Sequence, residues 1–314
     1  MPTTITTPQT HAKLLSADHR IAAATLRQEI KMILADRVSI RRMLPYVGDI
    51  SGMGSATYRE LYAQMGAGIP MESAAETGTL TPIGIDVDYR DITIGRHGLE
   101  AHETFLAQIT ARAGIDWDIS MLARQIGDTY EAEFMDSLAT LLATFSNGVG
   151  STGVDMSMDD FYDATYEFDL IDGSLGPLLS MLHGRQIADL KESKRGEPAE
   201  WIKDESQVSY KAEGYQGTLL NVPIFRSQRV TSDGTDRWGG IWAPGSIAYT
   251  MAGAGIANVR GLSHHAILLP ELGMILDWDS DSNGALSKFY ANCHFGLAVG
   301  DQGQLRGRYI RTDA

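Results

Sequence analysis

The chain has 314 residues, 43% of them hydrophobic, 21% charged and 33 of them glycine, which is long enough for one substantial core or two modest ones. Its net charge of −14 is uneven: residues 1–42 hold seven Lys/Arg against three Asp/Glu, and everything after them is strongly acidic. An acidic body repels phosphates and excludes a sequence-reading DNA binder, and no apolar run approaches the ~18 residues of a membrane span.

Met1–Thr10 is polar, without the apolar core of a signal peptide. The single cysteine, Cys293, has no internal partner, so a reducing compartment suits the chain. Asp18 caps an expected helix in which Ile21, Leu26, Ile30, Ile33 and Leu34 recur at helical spacing through Met43, before Pro45 ends it. This basic arm has an apolar face that needs a surface to pack on.

From Tyr46 to Leu80 the periodicity dissolves among glycines, with short strands expected around Thr57–Met65. A patternless stretch of this length inside a compact domain is usually functional or makes contacts elsewhere. It reads as an extended hairpin projecting from the body. Alternation then sharpens: Ile83, Ile85, Val87 and Tyr89 share one face, with Asp86, Asp88 and Arg90 on the other. Ile92 and Ile94 shift phase, which predicts a bulge near Arg90–Asp91.

Phe105, Leu106 and Ile109 suggest a short helix. A much longer one follows, with Ile119, Leu122, Ile126, Tyr130, Phe134, Leu138, Leu141, Leu142 and Phe145 forming one stripe that ends at Asn147–Gly148. A stripe of roughly 30 residues spans about 45 Å. A mixed α/β module over 151–262 comes next. In it Pro177–Ser193 reads as a helix, Lys191–Glu200 as an exposed charged turn, Tyr210–Val230 as strand–turn–strand, and Asp233–Gly234 as a tight turn. Trp238–Ala252 reads as another apolar strand or a helix start. Ile267–Pro270, Met274–Trp278, Phe289–Val299 and Gln304–Thr312 read as strands returning to the sheet that began at Ile83.

Catalytic and metal motifs fail one by one. Asp277, Asp279, Asp281 and Asn283 have the spacing of a calcium loop, but Ser282 replaces its glycine and Lys288 its glutamate, leaving a polar β-turn. Gly253 and Gly255 start a dinucleotide fingerprint that Asn258 breaks. His102–Glu103 starts a zinc-protease motif whose second histidine position is Leu106. Gly261-Leu-Ser263 stops short of a hydrolase elbow at His265. The His264–His265 pair would point to opposite faces of a strand, and Cys293 reads as a small buried apolar residue. No cofactor or metal site is expected.

With enzyme motifs set aside, the order of elements carries the argument. A basic N-terminal helix, a glycine-rich extended loop, a long strand, a long spine helix, an inserted α/β module and returning strands together resemble the major capsid protein of tailed bacteriophages. This is the HK-ninety-seven-like capsid fold, which encapsulins also use. Gly217-Thr-Leu-Leu-Asn-Val-Pro223 followed by Ser227 is similar to that family's strand–turn–strand, Trp238–Ala248 to its Pro-Gly-Ser-containing segment, and Thr79–Ile94 to the start of its peripheral domain. The resemblance covers nearly the whole chain in order.

It implies an α+β fold with an N-terminal arm (1–45), an extended loop (46–80), a peripheral domain (81–150 and 263–314) and an axial domain (151–262). It implies a structural, non-enzymatic protein. Hexamers and pentamers would build an icosahedral head around double-stranded DNA, assembled in the host bacterial cytoplasm and forming part of the virion. Portal, decoration and separate scaffolding proteins would be partners, since only about 45 residues precede the loop. The covalent cross-link that some members make through a loop lysine is not expected, because no lysine lies between Lys31 and Lys191. Expected subunit-interface residues are Arg27, Lys31, Arg41, Arg42, Tyr58, Arg59, Leu61, Met65 and Met71. An encapsulin-type compartment is the alternative within the fold. An enzyme using Asp155, Asp159, Asp160, Asp163, Glu167, Asp169 and Asp172 is the alternative outside it.

Overall fold

The computed structural model describes residues 28–30, 32, 40–50, 55–63, 87–104, 115–169, 177–193, 201–202, 215–253, 266–281, 286–300 and 306–313. The expected short helix at Phe105–Ile109, the His264–His265 pair and most of the N-terminal arm lie outside them. Within the arm, Gln28, Glu29, Ile30 and Met32 are helical and Ile30 is fully buried. Ile40–Met43 then form a 3-10 turn.

Two sheets and one long helix make the body. The first sheet runs β1 (Tyr46–Asp49), β11 (Ile247–Met251), β14 (Leu286–Val299), β13 (Met274–Asp281) and β12 (Ile267–Leu269), with β4 (Gly95–Thr104) also paired to β14. Because β4 and β13 both pair with the stretch beginning at Leu286, they occupy opposite edges of β14. The second sheet runs β5 (Gly148–Val149), β15 (Gly307–Asp313), β10 (Asp236–Trp242), β6 (Leu179–Leu182), β9 (Val222–Arg226), β8 (Tyr215–Leu219) and β7 (Trp201–Ile202). A separate two-stranded ribbon pairs β2 (Thr57–Ala63) with β3 (Val87–Thr93).

The long helix, α1 (Ile115–Leu142), has 28 residues and spans about 42 Å. It starts earlier than its apolar stripe and stops before Phe145, which is buried just beyond its end. The helix joins the sheets. Phe134 meets Phe295 at 5.4 Å and Tyr249 at 5.6 Å between ring centroids, and Tyr130 meets Phe295 edge-on at 5.8 Å, all on the first sheet. One turn further on, Leu138 and Leu142 share a buried cluster with Leu179, Met181, Phe225 and Trp242 of the second sheet. The Phe145 ring lies directly over Gly307: a Cβ there would sit 2.1 Å from it, so only glycine lets β15 pass.

On the opposite face of the second sheet lie α2 (Met158–Asp169) and α3 (Gly184–Ser193). They share a second core with β6, β9 and β10 in which Phe161, Leu182, Ile224 and Ile241 are buried. Ser157 and Asp160 form the reciprocal cap of α2: Asp160 N–H donates to Ser157 Oγ at 3.2 Å, and Ser157 N–H donates to Asp160 Oδ2 at 2.9 Å. At the start of α3 the His183 N–H donates to Gln186 Oε1 at 2.9 Å, and the Arg185 N–H donates to His183 Nδ1 at 3.0 Å.

Several expectations are corrected. Leu179–Leu182, read as the first half of a helix, is a strand buried at all four positions, because a short apolar run has no period that separates buried strand from buried helix. No bulge interrupts β3 at Arg90–Asp91, where pairing with β2 is continuous; the phase changes because Tyr89 lies on the exposed face of the strand and Ile92 on the buried one. Asp277–Asp281 belong to β13 rather than to a turn. The strands do not segregate at 151 and 263: β11 lies in the first sheet and β15 in the second, so the chain crosses between sheets once more than the sequence suggests. Tyr46–Asp49, expected in the loop, is the parallel edge partner of β11. The Leu220–Asn221 turn between β8 and β9 has positive φ at both residues (50° and 62°), as a tight hairpin requires, and Gly234 at φ 92° makes the Asp233–Gly234 turn.

Candidate assembly interface

The β2–β3 ribbon has two different faces. Outward lie the directly opposed pairs Thr57–Thr93, Arg59–Asp91 and Leu61–Tyr89. Arg59 grips Asp91 through two hydrogen bonds of 2.7 Å, which holds that carboxyl below its ordinary pKa. The same guanidinium lies over the Tyr89 ring, 4.3 Å from its centroid. Leu61 is 68% exposed and Tyr89 52% exposed. The outward face thus presents an exposed apolar cross-strand pair beside a fixed ion pair.

Inward, the ribbon is fastened down. Arg90 is 6% exposed, paired with Glu60, and its Nη1 donates to the carbonyl oxygens of Gly245 (2.8 Å) and Ser246 (3.3 Å). Ile92 is fully buried, and the Tyr58 hydroxyl donates to the Val47 carbonyl at 2.9 Å. The Gly245 carbonyl is presented by a turn with φ 85°, the left-handed conformation glycine adopts without strain. The Pro-Gly-Ser segment between β10 and β11 is therefore the socket for the base of the ribbon.

No protein-family profile matches the chain, and no curated protein matches it. Solved structures do, at low identity. The capsid of Ralstonia phage GP4 superposes with a TM-score of 0.58 at 8% identity, covering 87% of each chain. The capsid of cyanophage P-SCSP1u gives 0.55 at 11% identity over 88% of each. The holo-SrpI encapsulin complex of Synechococcus elongatus gives 0.52 at 12% identity, over 87% of this chain and 85% of that one. The chain has the HK-ninety-seven-like capsid fold. At these identities the likeness is one of fold, carried nearly end to end.

Within the capsid fold the expected interface residues separate into three groups. Arg59 and Leu61 share the outward ribbon face. Arg41 and Tyr58 turn inward: Arg41 is 9% exposed, 3.7 Å from Glu131 and stacked 5.3 Å from the Tyr130 ring, so it ties the chain's start to α1. Arg27, Lys31, Met65, Met71 and the Arg42 side chain lie outside the described residues. Sequence reasoning missed Tyr89 as a surface residue and Arg90 as its buried neighbour, because period-2 alternation identifies two faces without saying which is inside.

The seven carboxylates of the enzyme alternative do not converge. Asp160 caps α2, Glu167 bonds Arg308 at 2.5 Å, and Asp155 pairs with Arg185 at 3.4 Å. Asp159, Asp163 and Asp169 are exposed, and Asp172 lies outside the described residues. Among the described residues no three of His, Cys, Asp and Glu stand close enough to hold a metal ion. Cys293 is buried, as expected, and burial pushes its thiol up to about 12. The α2 helix itself was legible as a Ser-x-x-Asp cap followed by Phe161, Ala164 and Phe168, but its charge obscured it.

Proposed function

We propose that this chain is the major capsid subunit of a tailed double-stranded DNA bacteriophage, self-assembling as hexamers and pentamers into an icosahedral head. The observation that carries this reading is the near end-to-end likeness to phage capsid subunits, 84–88% of this chain in the phages named Che8, P-SCSP1u, KHP40 and GP4. The exposed Leu61–Tyr89 face supports it, because a ribbon with an uncovered apolar pair is satisfied when it lies on a neighbouring subunit.

In this reading residues 1–45 form an arm, and the segment from the end of β1 to 80, together with β3, an extended loop. The sheet centred on β14 is the core of the peripheral domain and the sheet centred on β10 that of the axial domain, with α1 as the spine between them. The body is structural rather than catalytic. Its acidity suits an inner surface that must not grip packaged DNA. Separate scaffolding, portal and decoration proteins are the expected partners, and assembly takes place in the host cytoplasm.

A second reading rests on the encapsulin likeness: the same shell built around a protein cargo. Electron microscopy of the purified protein, expressed with and without its genomic neighbours, tests both. Closed icosahedral shells or capsomer rings are expected, and DNA rather than enzyme inside favours the phage reading. A chain that stays monomeric with all its neighbours present overturns both.

A further inference from the structure

Two features of opposite charge stand at opposite ends of one pair of parallel strands. β6 and β9 run side by side in the same direction, Ser180 opposite Ile224 and Leu182 opposite Arg226. Their carboxyl ends carry positive charge. Arg226 is exposed at the end of β9, and His183 follows β6 with 8% exposure. Arg237 of β10 places Nη1 2.9 Å from His183 Nε2, while the Arg185 backbone N–H donates to His183 Nδ1 at 3.0 Å. A neutral imidazole has a single acceptor nitrogen, so two donors compete for this ring, and the acceptor beside Arg226 is the neutral Gln228 amide, whose oxygen in its satisfied orientation accepts from Arg226 Nη2 at 2.8 Å. Burial and then the nearby Arg237 hold His183 below its ordinary pKa. Among the described residues neither Arg226 nor Arg237 has a carboxylate partner, although the chain as a whole carries −14.

The other end of the same strands carries the complement. Tyr162, Asp163, Tyr166 and Asp169 of α2, with Leu178 before β6 and Leu220 before β9, line a groove of about 440 Å³. Tyr166 is 60% exposed, and Asp163 and Asp169 are exposed with no basic partner among the described residues. Tyrosine faces beside carboxylates are the chemistry that receives a guanidinium. A four-residue strand, roughly 13 Å, separates the two features.

A donor-rich head and an acceptor-rich groove at opposite ends of one short element are held apart within a chain, so they pair only between copies. They fit head to tail, the contact that closes rings. We infer that the Arg226–Arg237 end of one copy docks in the Tyr166–Asp163–Asp169 groove of the next copy around the capsomer ring. The inference rests on the shell-subunit reading above. It also gives two acidic chains the local complementarity they need to approach one another.

The test uses full-length chains with reversed charge: R226E, the double variant D163R/D169R, and the triple variant carrying all three changes. Circular dichroism and thermal melts check that each chain folds; where R226E does not fold, R226Q at raised salt replaces it under the same criterion. R226E alone and D163R/D169R alone are expected to lower the yield of assembled particles by about tenfold or more. The triple variant is expected to restore it. Mixing the two one-sided variants places unlike partners alternately, which closes even-membered rings and therefore restores hexamers but not pentamers. One-sided variants that assemble within about twofold of wild type overturn the lock while leaving the capsid reading intact. Loss in both without rescue by the triple variant assigns the groove to another protein and overturns it as well. A wild-type chain that never assembles counts against the capsid reading instead.

Discussion

Arg90 of the β2–β3 ribbon donates a 2.8 Å hydrogen bond to the carbonyl of Gly245, a residue 155 positions later in the chain. That bond, with the Glu60 pair beside it, couples the ribbon's base to the turn joining the two sheets. The ribbon is therefore not a free tail: its inner face is fixed and its outer face is displayed.

Replacing Arg90 with Ala removes a buried cation and strands Glu60. The expected loss is about 2–3 kcal/mol in the folding free energy, read by denaturant melts, with faster proteolysis between residues 50 and 95. A melt and a digestion pattern like wild type would show that the ribbon is held by other contacts.

Leu61→Asp and Tyr89→Ser act on the displayed face. Each is expected to change monomer stability by no more than about 0.5 kcal/mol while sharply reducing particle formation, scored by light scattering and electron microscopy. Equal assembly by wild type and variants would leave this face without a role.

Phe134 is fully buried and touches both Phe295 and Tyr249. Phe134→Ala is expected to destabilise the chain by about 3–5 kcal/mol, because the cavity opens where α1 meets the first sheet. A cost below ~1 kcal/mol would mean that the helix is not anchored there.

His183 and His294 both have pKa values lowered, chiefly by burial. The folded chain binds fewer protons than the unfolded one as pH falls below the unfolded value of 6.5, so stability is full above that value and declines beneath it. Melting temperatures are expected to drop between about pH 7 and about pH 5, and less steeply in H294Q than in wild type. Identical slopes would exclude His294 as a contributor.

The buried Cys293 thiol, pushed up to about 12 by burial, is expected to resist thiol-specific reagents until the chain unfolds. Stoichiometric labelling of the native protein would contradict its placement.

Much of the plan was legible in the residues. The long apolar stripe of α1, the Asn221 hairpin, the Asp233–Gly234 turn and the buried Cys293 follow from local periodicity and turn chemistry, which act over a few residues. The exposed ribbon face was half legible: Arg59 and Leu61 were named, and Tyr89 and Arg90 were put on opposite faces of their strand, but alternation alone did not say which of those faces turns inward.

What the tertiary structure decided was everything that depends on a distant partner. Leu179–Leu182 became a strand because β9 and β10 flank it, and Arg90 turned inward because the Gly245 carbonyl lies there to receive it. β11 and β15 exchanged sheets because each finds its pairing partner across the molecule, at Phe295–Val299 and at Asp236–Trp242. Periodicity in one segment reports that a face is apolar or polar. Which neighbour covers that face is a long-range fact, set by packing and backbone hydrogen bonding between residues that the linear chain holds far apart.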